Sequence, residues 1–218
     1  MGEAVGPPRL VLASASASRR DLLTAAGVEF AVVPSRVDEA ATRAQMTVND
    51  SRHPPPLGHP RLVARTLARA KAFEVSGREP KALVIGADQT LALLVGNDGQ
   101  IGQEMHKPAG RVEARAQLRE MRGRTHVLCA AVALAREGAI VWETEDMARL
   151  TMRTFSDAFL DHYLAHAGER VCSSVGAYQL EGLGIQLFER IEGDYFTILG
   201  LPLLPLLVEL RRQGVLAS

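Results

Sequence analysis

The chain has 218 residues, 47% of them apolar, with 25 basic side chains against 25 acidic ones. That length supports one large core or two small lobes, and the apolar share argues against disorder. The balanced charge gives no global field for a nucleic acid polymer or an anionic membrane.

Met1–Pro8 lacks the basic and apolar regions of a signal peptide and reads as a flexible N-terminus. Arg9–Ala13 reads as a buried strand, and Ser18–Ala26 as a short helix closed by Gly27. Val28–Val33 is a second strand. Pro34–Pro60 is polar and contains Pro54-Pro-Pro56, so its later part, residues 44–60, reads as a mobile loop. Pro60–Val75 is helical, with Val63, Leu67 and Ala70 on one face and Lys71 at its edge.

Ala82–Ala87 is a fully apolar strand that delivers Asp88 at its end. Thr90–Val95, the turn Gly96-Asn-Asp-Gly99 and Gln100–Gln103 form a hairpin. Arg111–Met121 is an amphipathic helix. Thr125–Ala135 and Ile140–Thr151 are long strands joined by a glycine turn. Phe155–Ala167 is a helix capped by Ser156 or Asp157, Ile185–Ile191 a strand, and Pro202–Gln213 a leucine-rich helix closed by Gly214. Strand–helix crossovers beside hairpins give an α/β fold with a mixed sheet and flanking helices. No linker divides the chain, so residues 1–218 read as one domain. The longest apolar run, near Leu199–Leu210, is broken by Gly and Pro, which argues against a membrane span. Cys129 and Cys172 lack metal-ligand spacing and read as buried free thiols of a reducing, cytoplasmic compartment.

Chemistry concentrates at the ends of the early elements. Ser14, Ser16 and Ser18 alternate where the first strand turns into a helix, leaving backbone N–H groups that attract anions. Arg19 and Arg20 add positive charge, and arginine grips phosphate through two parallel hydrogen bonds. Taken alone, the stretch reads more simply as a capped helix with solvated arginines. Asp88 follows Gly86 and Ala87, small residues that let a ligand approach the backbone. Asp38-Glu39 follows the second strand. Carboxylates near a phosphate site point to a hard cation such as Mg²⁺ or Mn²⁺, although this pair reads equally well as a solvated loop. Lys107-Pro108 carries little information by itself. The glycine-rich Gly176-Ala-Tyr-Gln-Leu-Glu-Gly-Leu-Gly184 lacks the third glycine of a dinucleotide fingerprint, and no Walker A lysine motif exists. His162 and His166 read as solvated helix residues.

Together these elements resemble one family, the Maf-like nucleotide pyrophosphatases. The matching pieces are Leu12-Ala-Ser-Ala-Ser-Ala-Ser-Arg-Arg-Asp-Leu-Leu23, Val37-Asp-Glu39, Leu67-Ala-Arg-Ala-Lys-Ala72, Ile85-Gly-Ala-Asp-Gln-Thr90, Lys107-Pro108, Leu118-Arg-Glu-Met-Arg-Gly-Arg-Thr-His126, Gly176-Ala-Tyr-Gln-Leu-Glu-Gly182 and Gly200-Leu-Pro202. The resemblance implies an elongated fold of two lobes around a central cleft, similar to inosine triphosphatases. It implies hydrolysis of nucleoside triphosphates to a monophosphate and pyrophosphate with a divalent cation, Mg²⁺, Mn²⁺ or Co²⁺. It makes Asp88 the general base, Glu39 and Asp88 the metal ligands, and Lys71 and Lys107 catalytic cations. Ser14, Ser16, Ser18, Arg19, Gln89 and Glu181 become substrate-binding residues, and a homodimer is implied. Gln89, Glu181 and the run Gly184-Ile-Gln-Leu-Phe-Glu-Arg190 are similar to the subgroup acting on 7-methyl-GTP. Ser18 departs from it, since that subgroup has tryptophan there, and Ala17 replaces the family's usual proline. The rival expectation is a nucleotide-binding regulator of cell division or septum formation without turnover.

Overall fold

The structure, a computed structural model, describes residues 8–48, 60–95 and 100–217. Its framework is a seven-stranded mixed sheet of order β2-β1-β3-β5-β6-β7, with β4 added to β3. The strands are β1 (Arg9–Leu12), β2 (Ala31–Val32), β3 (Ala82–Val95), β4 (Gln100–Met105), β5 (Thr125–Arg136), β6 (Ala139–Met152) and β7 (Phe188–Glu192). The helices are α1 (Ala17–Ala25), α2 (Glu39–Val48), α3 (Pro60–Arg78), α4 (Arg111–Met121), α5 (Asp157–Ala167), α6 (Tyr195–Ile198) and α7 (Leu203–Arg212).

Strand β3 organises the molecule. One edge pairs antiparallel with β5 from Val84 to Leu93. The other edge is divided: residues 82–85 pair parallel with β1, and Leu91 to Val95 pair antiparallel with β4. Between the two partners the edge opens, and Asp88 lies in that gap. Asp88 therefore sits in the middle of a continuous strand rather than at the end of one, because Asp88-Gln-Thr90 keeps the β5 ladder intact. An open edge where neighbouring strands part is where α/β sheets receive ligands.

The two faces of β3 differ. Residues 83, 85, 87, 91 and 93 face two apolar clusters, one with α1 and α7 and the other with α4 and α5. Residues 86, 88 and 90 face α3, whose Ala64, Ala68 and Ala72 pack on Cys129, Ala131, Ala133 and Ala135 of β5. This layer is built from small side chains, so α3 lies close to the sheet. At Gly86 a Cβ would overlap Ala68 O and Ala72 N. The small residue is there for the helix and not, as the sequence suggested, for a ligand.

Several boundaries differ from expectation. The second strand shrinks from 28–33 to Ala31–Val32. Residues 44–48, read as loop, belong to α2; residues 49–59, the rest of the expected mobile segment, and the turn 96–99 lie outside the described residues. Asp38 starts α2, its Oδ1 accepting from Ala41 N at 2.9 Å. Ile185–Ile191 is half strand: Leu183–Leu187 is a 3₁₀ turn, and β7 begins at Phe188. The short α6, capped by Asp194, carries no hydrophobic period and escaped notice. Both cysteines are free, but only Cys129 is buried; Cys172 is partly exposed. Among the described residues no helix is long and apolar enough to cross a membrane.

Candidate active site

The gap in β3 opens into a cleft of about 710 Å³. Its lining includes ten of the residues singled out for chemistry: Ser14, Ser16, Ser18, Arg19, Glu39, Lys71, Asp88, Gln89, Lys107 and Glu181. Residues up to 167 positions apart in sequence thus meet in one space (14 to 181). Arg20 does not join them. It is exposed and reaches only its neighbour Asp21, at 3.8 Å.

At the centre lies a three-residue ionic cluster. Lys71 leaves α3 toward the helix N-terminus, as helical side chains do, and its Nζ stands 2.6 Å from Asp88 Oδ1 and 2.6 Å from Glu39 Oε1. Lys71 and Asp88 are buried, 8% and 5% exposed. Asp88 Oδ2 is buried without a hydrogen-bond partner. Burial opposes the ionisation of Glu39, but the hydrogen bond and charge of Lys71, with Lys107 and Arg43, outweigh it and hold Glu39 below the usual carboxylate range.

Arg19 closes one side. Its Nε donates to Gly200 O at 2.8 Å, and its Nη1 donates to Ala87 O at 2.9 Å and to Ser14 Oγ at 3.2 Å. It thereby takes up the free carbonyl of Ala87 in the open edge of β3. Ser14 Oγ also accepts from Ser16 N, and Ser16 caps α1 by accepting from Arg19 N. The serine run is therefore a helix N-terminus with its hydroxyls partly engaged, beside the remaining Nη2 of Arg19. Burial lowers the Arg19 pKa, against the attraction of Asp88 and Glu39. Lys107, at the cleft mouth, is also lowered, first by partial desolvation and then by repulsion from Arg19. Glu39 and Asp88 attract Lys107 in the other direction, and a cleft that gathers several cations in this way suits a polyanion.

Gln89 gives both amide hydrogens to backbone, to Thr197 O at 3.0 Å and Ile198 O at 2.9 Å. It fastens α6 to β3, which leaves only its carbonyl oxygen for a ligand. Glu181 is exposed on the far wall and also borders a second cavity of about 380 Å³ with Ile185 and Tyr195. Its loop depends on Gly176, at φ 80°, and on Gly184, whose Cβ would overlap Gln179 O. Asp38, expected as a second carboxylate beside Glu39, is spent on capping α2 and does not line the cleft. Sequence reasoning missed Arg43 and His106, which both line it. Arg43 lies one turn after Glu39, a spacing that becomes visible once residues 39–48 are read as helix.

Among the described residues no group of three or more His, Cys, Asp and Glu side chains could hold a metal by itself. Glu39 and Asp88 nevertheless already share one cationic group, and Asp88 keeps an unbonded buried oxygen. A magnesium-type ion takes one or two carboxylates and completes its shell with water and substrate phosphates. The two residues fit that partial role.

A cleft at the open edge of a mixed sheet, walled by a serine-rich helix N-terminus and by a lysine that bridges two carboxylates, defines a phosphate-handling protein. The chain matches the family described as Maf-like protein over residues 9–213, and it belongs to that family. It is 50% identical over 218 residues, the full length of both chains, to a nucleoside triphosphate pyrophosphatase of Bradyrhizobium diazoefficiens. It is 47% identical to a 7-methyl-GTP pyrophosphatase of Rhizobium etli, covering 96% of this chain and 98% of that one. A 7-methyl-GTP pyrophosphatase of Brucella suis is 48% identical, with 94% and 96% covered.

Proposed function

We propose that the chain hydrolyses nucleoside triphosphates to a nucleoside monophosphate and pyrophosphate, with 7-methyl-GTP the leading substrate. The observation that carries this is the Lys71–Asp88–Glu39 cluster set among Arg19 and Lys107 in one cleft. Family membership and relatives named as pyrophosphatases support it.

In this mechanism Lys71 holds Asp88 through Oδ1, so Oδ2 is presented as the acceptor. Oδ2 takes the proton of an attacking water, the new O–P bond forms, and the bond between the α- and β-phosphates breaks. Arg19, Lys107 and the N-terminus of α1 bind the phosphate charge. A divalent cation, Mg²⁺, Mn²⁺ or Co²⁺, held by Glu39 and Asp88, supplies charge neutralisation on the phosphates. Glu181, on the opposite wall, reads the base. The proposal includes a cytoplasmic setting, consistent with two free cysteines; free nucleotides rather than a nucleic acid polymer or a membrane as partners; and a homodimer.

The test is product analysis over a nucleotide panel with Mg²⁺. Equimolar pyrophosphate and monophosphate, abolished by EDTA, is the expected result. Release of inorganic phosphate, or nucleotide binding with no release, would overturn the proposal; the second result would favour the regulator.

A further inference from the structure

Arg43 has no part in the mechanism above, yet its side chain lines the cleft, 23% exposed. Its Nη1 is bonded to Glu104 of β4. Its Nη2 lies 3.9 Å from Asp88 Oδ2, the carboxylate oxygen that has no hydrogen-bond partner. The separation is informative. A guanidinium free to move would close on a buried carboxylate and form the short bidentate pair that arginine favours. Glu104 holds it back, leaving both Nη2 and Oδ2 unspent and facing the same small space.

A water that hydrogen-bonds to Oδ2 stands within about 3 Å of it. The phosphorus that this water attacks, about 3 to 3.5 Å beyond it, then falls within reach of the Arg43 guanidinium. Charge on the phosphoryl oxygens grows as the bond to the leaving pyrophosphate breaks, and a fixed guanidinium there is strongly stabilising. Two of the other cations are more committed, while Lys107 is exposed at the cleft mouth. Arg19 is tied to two backbone carbonyls and Ser14, and Lys71 to two carboxylates.

We infer that Arg43 is a catalytic residue: anchored by Glu104, it places Nη2 on the phosphoryl group undergoing attack. It shares α2 with Glu39, so one helix brings a carboxylate and a guanidinium to the same reacting centre. The inference rests on the pyrophosphatase reading.

The experiment compares wild type, Arg43→Gln and Arg43→Lys with Mg²⁺ and the best nucleotide of the panel. It measures kcat, KM, thermal midpoint and the Kd of that nucleotide's non-hydrolysable α,β-methylene analogue. Arg43→Gln is expected to lower kcat at least about 100-fold, with analogue Kd and thermal midpoint near wild type. Arg43→Lys, which keeps charge without the fork, is expected to recover part of kcat. A kcat near wild type in Arg43→Gln would overturn the inference. So would a kcat loss matched by an equal loss of analogue affinity, which marks a merely structural or ground-state contact. If Arg43→Gln does not fold, Arg43→Lys decides alone: a reduced kcat at unchanged analogue Kd supports the role, and an unreduced kcat overturns it. A wild type that releases no pyrophosphate defeats the pyrophosphatase reading instead.

Discussion

The two ends of the cleft are built differently. At the end proposed to hold the phosphates, four charged groups leave regular elements and are locked in place. Lys71 from α3 holds Asp88 of β3 and Glu39 of α2, and Arg19 from α1 holds two backbone carbonyls. At the other end, residues 168–187 form successive 3₁₀ turns. Gly176 and Ala177 both adopt positive φ there, and Glu181 stands exposed. Every triphosphate presents the same phosphates, so that end can be preorganised and buried. Bases differ, and a wall of turns changes its side chains without disturbing the sheet.

The comparison breaks most sharply at Asp88. Asp88→Asn keeps the shape but loses the proton acceptor, so turnover is expected to fall by about 10²–10⁴-fold. Single-turnover rates measure this, and near-wild-type turnover would remove Asp88 from the base role. The two lysines come next. Lys71 is buried and bridges two carboxylates, so Lys71→Ala leaves Asp88 without its 2.6 Å partner. It is expected to cripple turnover and also to cost about 3 kcal/mol of stability. Lys107 makes no hydrogen bond among the described residues, so Lys107→Ala should lower kcat/KM at least about tenfold while stability stays within about 0.5 kcal/mol. Urea unfolding of both variants checks the contrast, and equal stability losses would erase it.

The end proposed to read the base has its own buried anchor. His126 of β5 is fully buried, its Nε2 2.9 Å from Tyr178 Oη, and Tyr178 lines the cleft. Burial lowers the His126 pKa from 6.5 to about 3. The folded state therefore holds the neutral ring, whereas the unfolded chain binds a proton below pH 6.5. Its contribution to stability is complete above pH 6.5 and drains away as pH falls toward 3, by up to about 1.4 kcal/mol per pH unit. Unfolding free energies at pH 7 and pH 5 should show this slope, and His126→Phe should flatten it by the equivalent of one proton. An unchanged slope would mean that His126 is already charged in the fold.

How much of this was legible in the sequence also divides by region. The phosphate end was readable because its residues lie on periodic elements: Leu67 and Lys71 on α3, the serine run before α1, and the apolar strand leading to Asp88. What could not be read is tertiary. Gly86 reads in the sequence as a ligand's neighbour, but the backbone of α3 fills that space. Arg43 is hidden because the apolar positions of residues 39–48 are mostly alanines, at 40, 41 and 44, so their helix shows mainly in the Asp38 cap. The turns at 168–187 have no period at all, since 3₁₀ segments follow backbone closure rather than hydrophobic spacing. Glu181 stands out there only through family resemblance, not through any pattern in the residues.

Glu181 gives the smallest effect and the test that belongs to the base end alone. It lies at the junction of the main cleft and the smaller cavity that it shares with Ile185 and Tyr195. An ionised carboxylate only accepts hydrogen bonds, whereas an amide both donates and accepts. Guanine offers N1–H and its 2-amino group side by side, and one carboxylate can take both. Uracil and thymine offer a single N–H between two carbonyls, which a carboxylate repels. The positive charge of a 7-methylated guanine adds attraction, while Ser18 contributes no aromatic surface for stacking. Wild type is therefore expected to prefer 7-methyl-GTP and GTP over UTP and TTP. Glu181→Gln should move the kcat/KM ratio toward UTP or TTP by about tenfold, the scale of one charge-assisted hydrogen bond, and leave stability unchanged because the side chain is exposed. If wild type treats guanine and uracil nucleotides alike and the substitution alters nothing, Glu181 has no part in reading the base. A ratio that moves while kcat on the preferred nucleotide falls only modestly would confirm that base choice and bond cleavage reside in separable parts of the cleft.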